Sequence, residues 1–336
     1  MLETIIALVT LASLVLYALM GGADFGGGFW DLAARGPRAA PQRKLIADAI
    51  APIWEANHVW LILVIVLLFT AFPAGFAAMM TALHIPLTAM LVGIVLRGSA
   101  FVFRKYDVRD DAVQRRWNRV FGVSSVITPF LQGVCLGALA SGSIRVHEGR
   151  ISTGFFAGWT EFFAITCGLF AVGLFAFLAA VYLTVDAARD AAVQNDFRRR
   201  AIFTQLGLAP IAALVFFAAQ RGGAPQMYSG LTQWWAPLLL CLTSAFAVIA
   251  VVALVKRRFR VARMAAIGEV VLILAGWSAG QFPHVIVPDV NIYDHAAPEV
   301  TLRLLVTALA IGAVVLLPSL YYLFHVFKGR ATSGRS

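Results

Sequence analysis

The sequence predicts an all-α membrane protein with nine transmembrane helices, and three observations carry that prediction. Hydrophobic residues make up 60% of the 336 and charged residues only 13%, against roughly 45–50% and about 25% in soluble domains. Apolar stretches of about 20 residues with few charges, enough to cross a bilayer as helix, recur along the whole chain. The Lys and Arg residues between them fall in alternate loops.

In chain order the apolar stretches lie at 4–30, 53–73, 76–103, 118–142, 156–185, 201–220, 230–255, 264–282 and 300–327. No basic residue precedes Ile5, unlike a signal peptide, so the first stretch reads as a retained span. Nine spans place the termini on opposite sides. Of the 27 Lys and Arg residues, 22 fall in the loops after the odd-numbered spans and in the C-terminal tail. The other side has Arg145, Arg150, Arg221 and Arg303, and Arg97 lies inside the third span. Basic loops stay cytoplasmic, so the N-terminus is expected in the periplasm and the C-terminus in the cytoplasm. The net charge of +10 is thereby a matter of topology and lipid headgroups, and nucleic acid is excluded as a partner.

The polar segment 143–155 divides the chain. A first four-helix bundle is expected over 1–142 and a periplasmic linking loop over 143–155. A second four-helix bundle covers 156–282, and 283–336 holds a periplasmic cap, one peripheral ninth helix and the cytoplasmic tail. Pro283, Pro288 and Pro298 favour extended chain in that cap. Cys135, Cys167 and Cys241 each sit in an apolar run with no CxxC spacing, so they read as small apolar fillers and no metal site is expected.

The informative residues are the charges inside the spans, because an ionisable group facing hydrocarbon costs a few kcal/mol. Asp24, within "GGADFGGGFWD" (21–31), lies toward the basic end of the first span, and Glu55 lies at the basic end of the second. Arg97, seven residues before Arg104, belongs to the same layer, and Glu269, six beyond Arg263, is expected near it. Glu55 and His58 are three apart and share a helix face, where an acid and an imidazole can exchange a proton. The glycines around Asp24 permit close helix approach and equally leave room for water. On spacing alone two readings stay open: a buried acid–arginine pair that fixes packing, and a proton route. Trp54 and Trp60 read first as packing or interfacial residues, and His84 as a satisfied core histidine. Glu161 reads as a wet interfacial acid.

Four stretches in order, "GGADFGGGFWD" (21–31), "IAPIWEANHVWLI" (50–62), "VLRGSAFVFR" (95–104) and "FPHVIVPDVNIYDHAAPEVTLRLL" (282–305), resemble subunit II of the cytochrome bd-type quinol oxidases. The resemblance covers essentially the whole chain. It implies a haem-free subunit packed against a haem-bearing subunit I in the bacterial plasma (inner) membrane, with lipid, quinone and a small accessory subunit as further neighbours. Subunit I would carry b-type and d-type haems, or three b-type haems, and the quinol site; this chain would bind no cofactor. The complex would oxidise quinol and reduce O2 to water with cytoplasmic protons.

By position, the resemblance assigns Asp24 and Glu55 to a cytoplasmic proton pathway, with His58 standing where glutamine or a similar group is usual. Arg97, Asn57 and Trp54 count as supporting residues, and Trp60 falls where an oxygen channel begins in one branch. The alternative is an ion-coupled secondary transporter, which also buries Asp, Glu and Arg; an odd number of spans and charges placed away from the midplane speak against it.

Overall fold

A computed structural model describes residues 1–51, 54–106, 111–147 and 149–333. The side chains of residues 54, 55, 104–106, 111, 112, 317, 320, 321 and 323–333 lie outside that description. Among the described residues the order is α1 (Leu2–Ala33), α2 (Ala39–Ile50), α3 (Trp54–Ala71), α4 (Pro73–Ala82), α5 (His84–Tyr106) and α6 (Asp111–Ser141). The hairpin β1 (Val146–His147) and β2 (Arg150–Ile151) follows, then α7 (Phe162–Asp186), α8 (Ala191–Ala218), α9 (Pro225–Gly230), α10 (Ala236–Val255) and α11 (Phe259–Gln281). A second hairpin, β3 (His284–Ile286) and β4 (Val290–Asn291), precedes α12 (Glu299–Ser333).

The chain is thus all-α and multi-pass, as its composition predicts. Each of the nine apolar stretches contains helix, but among the described residues seven helices are long and apolar enough to cross a membrane, or eight if the bent pair of α3 and α4 is one span. The third expected stretch, 76–103, is not continuous. It breaks at Leu83, and α4 turns 118° from α3. The cause is local: Pro73 opens α4, and a residue before proline is pushed out of the helical region, as Phe72 is at φ −130°, ψ 57°. The α11 helix forms where expected, with Glu269 inside it, and is not one of those seven.

The α7 helix forms the centre. Every residue from Leu174 to Thr184 is buried, the mark of a helix that is apolar all round, and α1, α6, α8 and α11 pack around it. At the basic end, α2 turns Gln42, Ile46 and Ile50 inward, one face at helical spacing. Asp196 of α8 ties it down, accepting from Arg38 Nε at 2.7 Å and Gln42 Nε2 at 2.8 Å. The α8 helix starts ten residues earlier than its apolar stretch because Asp190 caps it, accepting from the backbone N–H groups of Ala192 and Val193.

The proline-rich cap is extended, as expected. It closes the end that holds the start of α1: Ala297 N–H donates to Ala71 O at 2.8 Å and Val287 N–H to Leu139 O at 3.0 Å. Arg145 joins the two hairpins, donating to Asp289 from Nε at 2.8 Å and Nη2 at 3.0 Å, while Val146 N–H donates to the same carboxylate at 2.8 Å. Arg145 beside it holds the Asp289 carboxyl below the usual range. A carboxyl shifted downward stabilises the folded form above its unfolded pKa, about 3.9, and loses that contribution as pH falls through the lower folded value. Limited proteolysis of 143–155 is therefore expected to stay constant from neutral pH down to about 4 and to rise below it. Asp289→Asn is expected to be nicked faster already at neutral pH; an unchanged rate in that variant would show that the clasp does not hold the loop.

Candidate functional site

The glycines around Asp24 serve close packing. A Cβ on Gly26 would lie 2.0 Å from Phe175 O, and one on Gly28 would lie 2.0 Å from Ser125 Oγ, so α1 lies against the backbone of α7 and the side chains of α6. At Gly22, Gly26, Gly27 and Gly28 the choice between tight contact and water-filled space therefore falls to contact.

Asp24, fully buried, meets Arg97 of α5, 2% exposed. Arg97 Nη1 donates to Asp24 Oδ2 at 2.9 Å, and Nη2 donates to Oδ1 and to the Asp24 backbone carbonyl, the latter at 2.9 Å. Arg97 Nε donates to Ser125 Oγ at 2.9 Å, and that hydroxyl donates to Phe121 O at 2.7 Å. The guanidinium lies over the rings of Phe25 and Phe121, each centroid 4.8 Å from Cζ. A buried ion pair needs such complete satisfaction, since its desolvation costs several kcal/mol per ion.

Polar groups continue along the bundle from this pair. On α6, Ser125, Thr128 and Gln132 sit at i, i+3 and i+7, one helix face. Gln132 Nε2 donates to the hydroxyl of Tyr17, two turns before Asp24 on α1. Asn57 of α3 is fully buried and lies against Gly21, where a Cβ would sit 3.4 Å from its Nδ2. Both amide atoms of Asn57, Thr128 Oγ1 and Gln132 Oε1 have no hydrogen-bond partner among the described residues. Each such group costs about 1–3 kcal/mol if left alone, so these positions call for ordered water.

His58 and Arg97 share the wall of a pocket of about 230 Å³ with Phe25, Ile94, Val95 and Gly98. Trp60, 8% exposed, packs in the large apolar core. The Trp54 and Glu55 side chains lie outside the described ones; the backbone of both belongs to α3, which places Glu55 one turn before His58.

Of the residues singled out from the sequence, the structure therefore joins Asp24 to Arg97 directly, sets His58 in the same pocket as Arg97, and puts Asn57 one turn from Asp24. Glu269, read from the sequence only as lying in the same layer, has Gln205 of α8 as its hydrogen-bond partner. His84 is not a core residue either; it is exposed at the start of α5, its Nδ1 2.9 Å from Thr81 O. Glu161 accepts from Ser143 Oγ at 2.8 Å and from Gly158 N–H at 3.2 Å. Cys135 and Cys167 are buried and Cys241 is exposed. Sequence reasoning missed Ser125, Thr128, Gln132 and Tyr17. The three α6 residues were signalled by a polar stripe at helical spacing within an otherwise apolar stretch; Tyr17 of α1 had no such signal.

Comparison with known proteins gives one consistent result. Residues 2–327 match the profile of the family described as "Cytochrome bd terminal oxidase subunit II". The chain is 24% identical over 325 residues to a putative cytochrome bd menaquinol oxidase subunit II of Bacillus subtilis, covering 93% of this chain and 91% of that one. It is 27% identical over 173 residues to the cytochrome bd-I ubiquinol oxidase subunit 2 of Escherichia coli, covering 51% and 45%. In fold it is similar to a chain of the bd oxidase structure from Geobacillus thermodenitrificans, with a TM-score of 0.82, 23% identity, and coverage of 97% and 98%.

Proposed function

The chain belongs to the cytochrome bd terminal oxidase subunit II family, and from that premise we propose that it works as the haem-free subunit of a quinol oxidase. Its partner is a haem-bearing subunit I in the bacterial plasma membrane, with this chain's N-terminus periplasmic and its basic end cytoplasmic. Asp24, Glu55 and His58 line a route for cytoplasmic protons toward the oxygen-reducing centre of that partner, and Trp60 stands at the start of an oxygen path through the apolar core.

The observation that carries the proton route is the buried Asp24–Arg97 pair with unpartnered polar atoms beside it. The pair is net neutral, so it holds a polar environment open in the bundle without an uncompensated charge. Waters hydrogen-bonded to Asn57 and Thr128 would continue it. With both Asp24 oxygens engaged by Arg97, transfer falls to His58 and Glu55. The His58–Arg97 pocket opens beside Val95, 58% exposed, on an apolar surface of α3 and α5 that a partner can cover. Moving one proton through the membrane field is worth about 2.3 kcal/mol per 100 mV, which gives a cytoplasmic entry its energetic value.

Glu55→Gln is expected to slow quinol oxidase turnover of the purified complex while leaving its haem spectrum intact; unchanged turnover removes Glu55 from the route. The subunit assignment has its own test. Expressed with its membrane partner, the chain should purify as a coloured complex, and expressed alone it should purify colourless. A chain that is coloured by itself would refute the haem-free assignment.

A further inference from the structure

A further buried acid, Glu269, lies outside the proposed route. Glu269 of α11 is 4% exposed and Gln205 of α8 is 7% exposed, and Gln205 Nε2 donates to Glu269 Oε1 at 2.7 Å. The other two polar oxygens, Glu269 Oε2 and Gln205 Oε1, have no partner among the described residues. Their surroundings are apolar: Ala201 and Leu208 of α8, Ala265, Ala266 and Val270 of α11, all in the large core. No Asp, Glu, His, Lys or Arg occurs within four residues of either side chain on its own helix, or anywhere in α10. In α7 the titratable groups are Cys167, Tyr182 and Asp186; in α1, which also packs on α11, they are Glu3, Tyr17, Asp24 and Asp31, and in α9 Tyr228, none of them a base. The guanidinium of Arg263 of α11 lies over the Tyr182 ring, 4.7 Å from the centroid.

Hydrogen-bond accounting then gives a specific answer. An ionised glutamate is acceptor-only, so a charged Glu269 beside Gln205 leaves two buried acceptors, no donor for either, and an uncompensated charge in an apolar core. Such a carboxylate in a dry core costs far more than one hydrogen bond returns, and in practice it neutralises. One added proton removes all three faults. A neutral carboxyl has one O–H donor, Gln205 Oε1 is the free acceptor, and acid and amide close into a head-to-head pair, directly or through one water.

We propose that Gln205 and Glu269 form a proton-holding site, with the proton on Glu269 Oε2 donated to Gln205 Oε1. The ligand is a hydrogen ion: it adds to Oε2, the carboxyl goes from −1 to neutral, and no other bond changes. The site is carried by α8 and α11, whereas Asp24 and Arg97 sit on α1 and α5. The proposal does not rest on the proposed route.

Infrared spectra of the assembled complex, wild type minus Glu269→Gln, in ordinary and heavy water, test this. Glutamine keeps an amide donor and acceptor at the position, so that variant is expected to fold. The expected result is a carbonyl stretching band of a protonated, hydrogen-bonded carboxyl that moves to lower frequency in heavy water and is missing from Glu269→Gln. In Gln205→Leu the band should move to higher frequency as the amide is lost. If that variant does not assemble, Gln205→Asn, which withdraws the amide by one methylene, should move it in the same direction. A difference spectrum that holds only carboxylate bands overturns the proposal, as does a protonated band indifferent to position 205. Thermal stability that rises with sodium over choline in the wild type but not in Glu269→Gln also overturns it, because a metal cation would then bridge the two oxygens. The readouts are spectroscopic and thermal, on the resting complex, so their failure is distinct from a failure of the Glu55 turnover test.

Discussion

Arg97→Ala is expected to cost about 3–5 kcal/mol of stability, the penalty for breaking a buried ion pair from one side. The variant leaves the Asp24 carboxylate fully buried with its guanidinium donors gone, and leaves Ser125 Oγ without the Nε donor. It also empties the space between the Phe25 and Phe121 rings. Loss of assembled complex from the membrane and a lowered denaturation midpoint in detergent are the measurements. The double variant Asp24→Leu with Arg97→Met keeps comparable volume without charge, and apolar replacements of buried pairs are often neutral or stabilising by about 1–4 kcal/mol. It is expected to regain assembly. If it also regains turnover, the pair is a packing device; if it assembles yet turns over slowly, the charge itself serves the proton route. A double variant no more stable than Arg97→Ala would show that the destabilisation comes from lost shape and not from the orphaned charge.

Gly26→Val is the second large effect. A Cβ at that position would lie 2.0 Å from Phe175 O, 2.6 Å from its carbonyl carbon and 2.7 Å from Ala179 Cβ. Two of these are backbone atoms of the most buried helix, and they cannot rotate aside. Overpacking a well-packed core typically costs about 1–3 kcal/mol and occasionally more; here α1 must part from α7, so the upper end or beyond is expected. Little complex should assemble, and what does should turn over slowly because the shift carries Asp24 with it. Gly207→Ala is the matched control. No atom lies within 4 Å of a Cβ there, and alanine in mid-helix gains about 0.5–1 kcal/mol over glycine. If both variants assemble equally, the helix contact at Gly26 is not what holds the bundle.

Composition and the length of the apolar stretches determine an all-α membrane protein, because hydrocarbon leaves the backbone no partner but itself. The same requirement makes Asp24, Arg97 and Glu269 conspicuous, and the order of the motifs names the family. Pro73 was a legible break that the apolar count concealed, since hydropathy does not register φ restriction. Asp190, ahead of the α8 stretch, was likewise a readable cap.

Partnership between helices is a different matter. Spacing from the basic loops reads Glu269 and Arg97 as one layer, yet Glu269 turns to Gln205, and a glutamine in an apolar run carries no sign of that role. Which face of α6 presents Ser125 to Arg97, and whether the glycines beside Asp24 admit water or the backbone of α7, depends on helix rotation and crossing. A sequence fixes the period of a helix and the solvent it tolerates, because both act residue by residue. The pairing of buried polar groups is set by how several rigid surfaces pack at once, and the tertiary structure alone decided it.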